Sequence, residues 1–188
     1  MLRLLKKKII KDNIPGILKL LLWAVSCVLW NGSFRVHEIL SRTVSEFDPQ
    51  TTLLWEDIKF RKVKLEGVMI ETVSFKVKSP KVDRIGAGDF IEVYATGEYN
   101  CPVKALGKWR EANFLTENPK FPVFRTSEDQ CFTGKQLNQH LSRLTECLSE
   151  HMKGGKVTSH SYRAGIASEM CRAGKPNQTK LINNTKPN

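Results

Sequence analysis

No two of the five cysteines (Cys27, Cys101, Cys131, Cys147 and Cys171) stand at CxxC spacing, and their number is odd. Both facts argue against a disulfide-stapled secreted domain and for a reducing, intracellular compartment. Long apolar runs are missing too. Ile14–Trp30 is mostly apolar, but Lys19 interrupts it, and Leu20–Trp30 is only eleven residues. A membrane span needs ~20. The basic stretch Met1–Lys11 ahead of it has the order of a signal peptide or anchor, yet no clear small-x-small cleavage site follows. A buried core helix is the better reading, and a basic protein anchored at the membrane by residues 14–30 is the weaker one. Internal repeats are absent. Acidic residues are scarce as well: 19 Asp and Glu against 30 Lys and Arg leave a net charge of +11. A surplus of that size attracts polyanions. Duplex DNA is the first partner to consider, because each neutralised phosphate releases condensed counterions. A solvated basic surface, or attraction to anionic lipid, would account for the charge alone.

What is present fits one domain. With 188 residues, 40% of them hydrophobic, the chain can bury a core. Residues 1–174 read as that domain. Residues 175–188 read as a disordered tail, because Lys, Pro, Asn, Gln and Thr dominate it and only Leu181 and Ile182 are apolar. The spacing predicts a helix over Ile14–Trp30 with Pro15 in its first turn, broken at Asn31-Gly32-Ser33, and another helix starting in Phe34–Leu40. Thr51–Phe60 suits a strand or strand edge. Val68–Val77 and Asp89–Ala95 are strands, joined across Lys78–Gly88 as a hairpin with a long basic tip. Pro102–Phe114 is helical. Thr133 with Gln136 three residues on forms a capping box, and Leu137, Leu141, Leu144 and Leu148 then lay one apolar stripe along a helix reaching about Met152. Thr158 or Ser159 caps a last helix over Ser161–Ala173. The fold class expected is α+β, mostly α-helical, with a small antiparallel sheet on one side.

Three stretches carry chemistry. In Ser159-His160-Ser161-Tyr162-Arg163-Ala164-Gly165, His160 and Arg163 share a helix face. The arginine offers a rigid fork for two phosphate oxygens, and the histidine can donate or move a proton near neutral pH. In Gly32-Ser33-Phe34-Arg35-Val36-His37-Glu38, Arg35 arrives at a helix start and Glu38 lies one turn on, where it can orient the guanidinium. In Lys78-Ser79-Pro80-Lys81-Val82-Asp83-Arg84, a hairpin lysine could reach DNA and protonate a leaving oxygen. Each alone also reads as an ordinary solvated charge. Cys131, His140, Cys147 and His151 raise the question of zinc, but their spacing matches no standard finger.

Together, in this order, the three stretches resemble the tyrosine recombinases of the phage integrase family. They are most similar to those of the eukaryotic Crypton- and DIRS-type mobile elements. The resemblance rests on WAVSCVLWNGSFRVHEIL, TTLLWEDI, SPKVDRIGAGDFIEVY, CPVKALGKW and TSHSYRAGIASEMCRAG, from Trp23 to Gly174. It implies the tyrosine recombinase catalytic-domain fold and four catalytic residues: Arg35, Lys81, His160 and Arg163, with Lys78 the rival for the lysine. The two arginines would hold the scissile phosphate and its transition state. The lysine would protonate the leaving 5′ oxygen, and the histidine would assist. A tyrosine would form a 3′-phosphotyrosine link, with no metal or other cofactor. Double-stranded DNA is the implied partner, with no small-molecule substrate, no membrane and a nuclear location.

The sequence also departs from that pattern. The family places a further His or Trp, and then the nucleophilic tyrosine, after the second arginine. Nothing after Arg163 is His, Trp or Tyr, and the three tyrosines are Tyr94, Tyr99 and Tyr162. The expectation is a DNA-binding, recombinase-like chain that lacks the tyrosine segment and is cleavage-defective. The alternative is a fragment of a complete active enzyme. Family members act as tetramers held by that terminal segment, so a monomer or weak association is expected here.

Overall fold

The computed structural model describes residues 1–78, 89–113, 118–128, 130–146 and 157–172. Its centre is helix α2, Gly16–Gly32, whose residues are buried on nearly every side from Leu21 onward. Such all-round apolarity makes a helix stable only inside a core. Pro15 precedes it with φ −53°, already set for a helix entry. The helix stops because Ser33 turns left-handed, with φ 50°. Gly32 has to be glycine, since a Cβ there would strike the ring of Phe34. Phe34 is buried and meets Phe75 edge-on, with ring centroids 5.1 Å apart. No helix among the described residues is long and apolar enough to cross a membrane.

Around α2 three of the other helices supply one apolar stripe each. Helix α1, Leu2–Lys11, buries Leu2, Leu5 and Ile9 against α2 and α5 and leaves Arg3, Lys7 and Lys11 in solvent. The 3-and-4 spacing of those three residues was there to be read, but the lysines drew attention to charge instead. Short α3, Val36–Ile39, follows Arg35. Helix α4, Pro102–Ala112, packs Ala105, Leu106 and Trp109 inward, and Trp109 Nε1 donates to the Val123 carbonyl at 2.8 Å. Helix α5, Gly134–Thr145, has the expected capping box: Thr133 Oγ1 accepts from Gln136 N–H and Gln136 Oε1 accepts from Thr133 N–H. Its stripe of Leu137, Leu141 and Leu144 is buried, while Leu148 lies outside the described residues. Helix α6 covers Ser159–Arg172.

A three-stranded antiparallel sheet in the order β1-β2-β3 packs on this helical body, from Ile58–Leu65, Val68–Val77 and Asp89–Tyr94. The second and third strands fall where the sequence put them. The first differs. Thr51–Phe60 is mostly a loop with a 3₁₀ turn at Trp55–Asp57, and its Leu53, Leu54 and Trp55 are buried without being in a strand. The strand proper begins at Ile58 and runs out to a two-residue turn, Glu66-Gly67, both with positive φ (48° and 86°). Such turns match strand twist and close tight hairpins. A second, two-stranded sheet pairs β4 (Arg125–Ser127) with β5 (Gln130–Cys131). The architecture is α+β with the sheet on one side.

Candidate phosphate-binding site

Arg35 sits in extended conformation immediately before α3. Its own backbone N–H donates to Glu38 Oε2 at 2.6 Å and its Nη1 donates to Oε1 of the same carboxylate at 2.8 Å. Glu38 is nearly inaccessible, with a side chain 6% exposed, whereas the Arg35 side chain is 34% exposed. One side of the guanidinium is therefore fixed by a buried anion. The remaining N–H donors, of the five an arginine carries, are free to take another oxygen from solvent. This is more than a surface i,i+3 pair, because the carboxylate is buried and both of its oxygens accept from Arg35.

Helix α6 is set by two contacts with α2. The Tyr162 hydroxyl lies 2.8 Å from Ser26 Oγ, and that oxygen donates to the Leu22 carbonyl at 2.6 Å. Ser26 thus accepts from Tyr162, and the tyrosine must be protonated. One turn on, Gly165 lies so close to the Trp30 ring that a Cβ would collide with it. The pairs Tyr162–Ser26 and Gly165–Trp30 ascend together, so α6 runs in the same direction as α2. Its N-terminus is pinned by Asn138 of α5, whose Oδ1 accepts from Ser159 N–H at 2.8 Å. With Tyr162 and Gly165 turned inward, His160 is exposed and Arg163 half-buried at the helix surface. Arg35 follows the end of the same α2, and the first residue of α5, Gly134, abuts Val36. Arg35 thus lies just past the end of α2, next to the residue that meets the start of α5, and the His160–Arg163 helix packs on the C-terminal half of α2 and on α5.

The two hairpin lysines differ in what the structure describes of them. Lys78 is committed elsewhere. Its Nζ is 2.6 Å from Asp57 Oδ2 and donates to the carbonyls of Pro49 (2.8 Å) and Thr52 (3.3 Å). Asp57 is buried and also accepts from Leu54 N–H. Lys78 fastens the 49–57 loop to the end of β2 across more than twenty residues of chain, a separation with no local spacing to mark it. Lys81 lies outside the described residues.

Solved structures that share this fold include two complexes with DNA. One is a complex of a tryptophan-to-phenylalanine Flpe mutant with a DNA Holliday junction, at TM-score 0.58 and 12% identity, covering 99% of this chain and 42% of that one. The other is an FLP recombinase–Holliday junction complex, at TM-score 0.56 and 12% identity, covering 99% and 43%. The fold is that of a tyrosine recombinase catalytic domain. The chain spans about two-fifths of the length of each Flp chain. No protein-family model and no curated protein matches the sequence.

Within the Flp-like fold the three tyrosines have other duties. Tyr162 is fully buried, and burial pushes its phenol far above the ordinary tyrosine range, only partly offset by the Ser26 hydrogen bond. Tyr94 is raised by burial and by the Glu92 carboxylate beside it, to which its hydroxyl donates at 3.2 Å. Tyr99 stacks on Trp23, with Arg3 5.1 Å from its ring centre. Burial thus disfavours the phenolates of Tyr162 and Tyr94. Among the described residues no group of three or more His, Cys, Asp or Glu converges on a metal position. Of the four zinc candidates, Cys147 and His151 lie outside the described residues, and Cys131 is a buried thiol whose pKa burial raises.

Proposed function

We propose that this chain is the phosphate-clamping core of a DNA strand-exchange enzyme of the tyrosine recombinase type, descended from a mobile element of the Crypton or DIRS kind. By itself it binds duplex DNA without cutting it. The observation that supports the reading is the fold shared with Flp–DNA complexes, in which Arg35, braced by buried Glu38, follows the end of α2 and the His160–Arg163 helix packs on that same α2. Arg35 and Arg163 would each present guanidinium donors to one phosphate, and His160 would donate to it or relay a proton. Lys81 is the general acid. In the reaction as the fold family performs it, a tyrosine oxygen bonds to phosphorus, the bond from phosphorus to the 5′ oxygen breaks, and the lysine proton goes to that oxygen. Bond energy is kept in the phosphotyrosine, so religation needs no added cofactor.

The attacking tyrosine has to come from outside these 188 residues, either from further polypeptide or from another protomer. A nuclear location and a monomer or weakly associating state on its own go with this reading. The test is a nicked suicide duplex, on which 5′-fragment loss makes cleavage irreversible. The chain alone is expected to bind the duplex and form no covalent 3′-phosphotyrosyl adduct. An adduct mapping to Tyr94, Tyr99 or Tyr162 would overturn the cleavage-defective assignment. Failure to bind duplex DNA at low salt would overturn the function as a whole.

A further inference from the structure

The outer half of the β1–β2 hairpin projects from the protein. On the side that packs on the helices, Ile58, Phe75 and Val73 are buried, but the next cross-strand pair outward, Lys62 with Glu71, is exposed. From the Lys62–Glu71 pair to the turn neither strand has a buried residue or a third strand beside it, an overhang of about 13 Å at ~3.3 Å per residue. A two-stranded ribbon wet on both faces is marginal on its own. Its composition is one-sided. Lys59, Arg61, Lys62 and Lys64 are all exposed on the edge strand, and none forms an ion pair among the described residues. Only Lys62 has a carboxylate directly opposite; Lys59, Arg61 and Lys64 face Ser74, Thr72 and Met69. Apart from Glu66 in the turn, the tip is apolar: Leu65 is 42% exposed, Val68 63% and Met69 59%, behind the half-buried pair Val63–Ile70.

Cations on an edge strand ordinarily protect it from pairing with another strand. That explanation covers the lysines and leaves the bare apolar tip unexplained. We infer that the hairpin is a second DNA contact, a ribbon that enters a groove of the duplex flanking the clamped phosphate. Its cations would lie on the phosphate rims and Leu65, Val68 and Met69 against base edges. Charge complementarity selects this occupant, and a two-stranded ribbon has the width a major groove admits. Apolar side chains at such a tip meet thymine methyls or a base step. Phe75, which touches Phe34 next to Arg35, is seven residues from Val68 along β2, about 23 Å. The contact therefore falls within one helical turn, ~34 Å, of the phosphate held by Arg35.

This inference rests on the proposed DNA-binding function, and one set of measurements separates the two. Binding to a fluorescent duplex of about 30 base pairs is followed between ~50 and ~200 mM salt. The triple variant K59Q/R61Q/K64Q should lower the slope of log K against log salt by ~2 to 3, and L65S/V68S/M69S should weaken binding several-fold with the slope unchanged. All six positions are solvent-exposed, so folding is checked simply by circular dichroism. Wild-type affinity and slope in both triples, with weakened binding in Arg35→Ala and Arg163→Ala, would sink the hairpin contact and leave the clamp standing. No duplex binding by the unaltered chain would sink both. A concentration-dependent dimer in sedimentation that L65S/V68S/M69S abolishes, with DNA affinity intact, would assign the tip to a second copy of the chain instead.

Discussion

Tyr162 stands between the two residues of the HxxR pair and points the opposite way, donating to Ser26 from a fully buried position. Removing only its hydroxyl (Tyr162→Phe) should cost about 1 kcal/mol in denaturant unfolding, the typical worth of a buried hydrogen bond. The ring itself carries the larger share of the packing, and Tyr162→Ala should cost ~3–5 kcal/mol. The same burial sets an alkaline signature. A phenol held above its unfolded value keeps its stabilising effect below pH ~10 and loses it as pH climbs past that. In a spectrophotometric titration the Tyr162 absorbance step should coincide with loss of near-ultraviolet circular dichroism, not precede it, and Tyr162→Phe should abolish that step. An early, reversible step from all three tyrosines would contradict the buried assignment. At the proposed phosphate-binding face, the proposed DNA binding predicts that Arg163→Ala lowers the salt slope by ~1, one phosphate contact. Arg163→Lys should keep the slope and lose affinity, since an ammonium keeps the charge and loses the fork. Equal slopes in wild type and Arg163→Ala would argue against a phosphate at that position.

Helix α6 has little amphipathic character to hold it, since its inward face offers Tyr162, Gly165 and partly buried Ile166. Its seat therefore depends on closeness, and closeness on the missing Cβ at Gly165. Gly165→Ala, normally helix-favouring by up to ~1 kcal/mol, should here destabilise by ~1–3 kcal/mol because buried Trp30 has no room to withdraw. A rise in Tm in this variant would show that α6 is not pressed on Trp30. Elements defined by local spacing were legible in the sequence: the apolar run of α2, the strands β2 and β3, the capping box of α5. Those whose reason is a distant partner were not. Nothing near Tyr162 names Ser26, 136 residues earlier, and nothing near Lys78 names Asp57. Leu2, Leu5 and Ile9 did carry a helical signal, hidden under the lysines of the same turns. The Glu66-Gly67 turn was also readable, but the alternation of β1 is blurred where both of its faces meet water.

For the whole molecule, pH acts through His140, where α5 nears the end of α1. Burial lowers its pKa first, then the neighbouring Arg143; Asp12, paired with Arg143, offsets part of this. A histidine depressed in the folded state is protonated more readily unfolded, so the unfolded chain binds more protons as pH falls below about 6.5. Stability should be full above that value and decline as pH falls toward the folded pKa. The Tm should drop between about pH 7 and pH 5, and His140→Gln should flatten that part of the profile. An unchanged profile in the variant would place the acid sensitivity elsewhere. At this scale the candidate site was half legible. Arg35, His160 and Arg163 could be picked out from residue types and order, while the bracing role of Glu38 became specific only once its burial was known.

The pairing of α2 with α6 also bears on how the chain is made. Ser26 leaves the ribosome 136 residues before Tyr162. At ~5–20 residues per second, the most apolar segment of the chain waits roughly 7 to 27 seconds for the helix that closes over it. α1 is its cover from the start of that interval, and α4 joins only after more than half of it has passed. Synthesis, more than equilibrium stability, is therefore the stage at which this protein is exposed to aggregation, and co-translational chaperones would find their substrate in Leu21–Trp30.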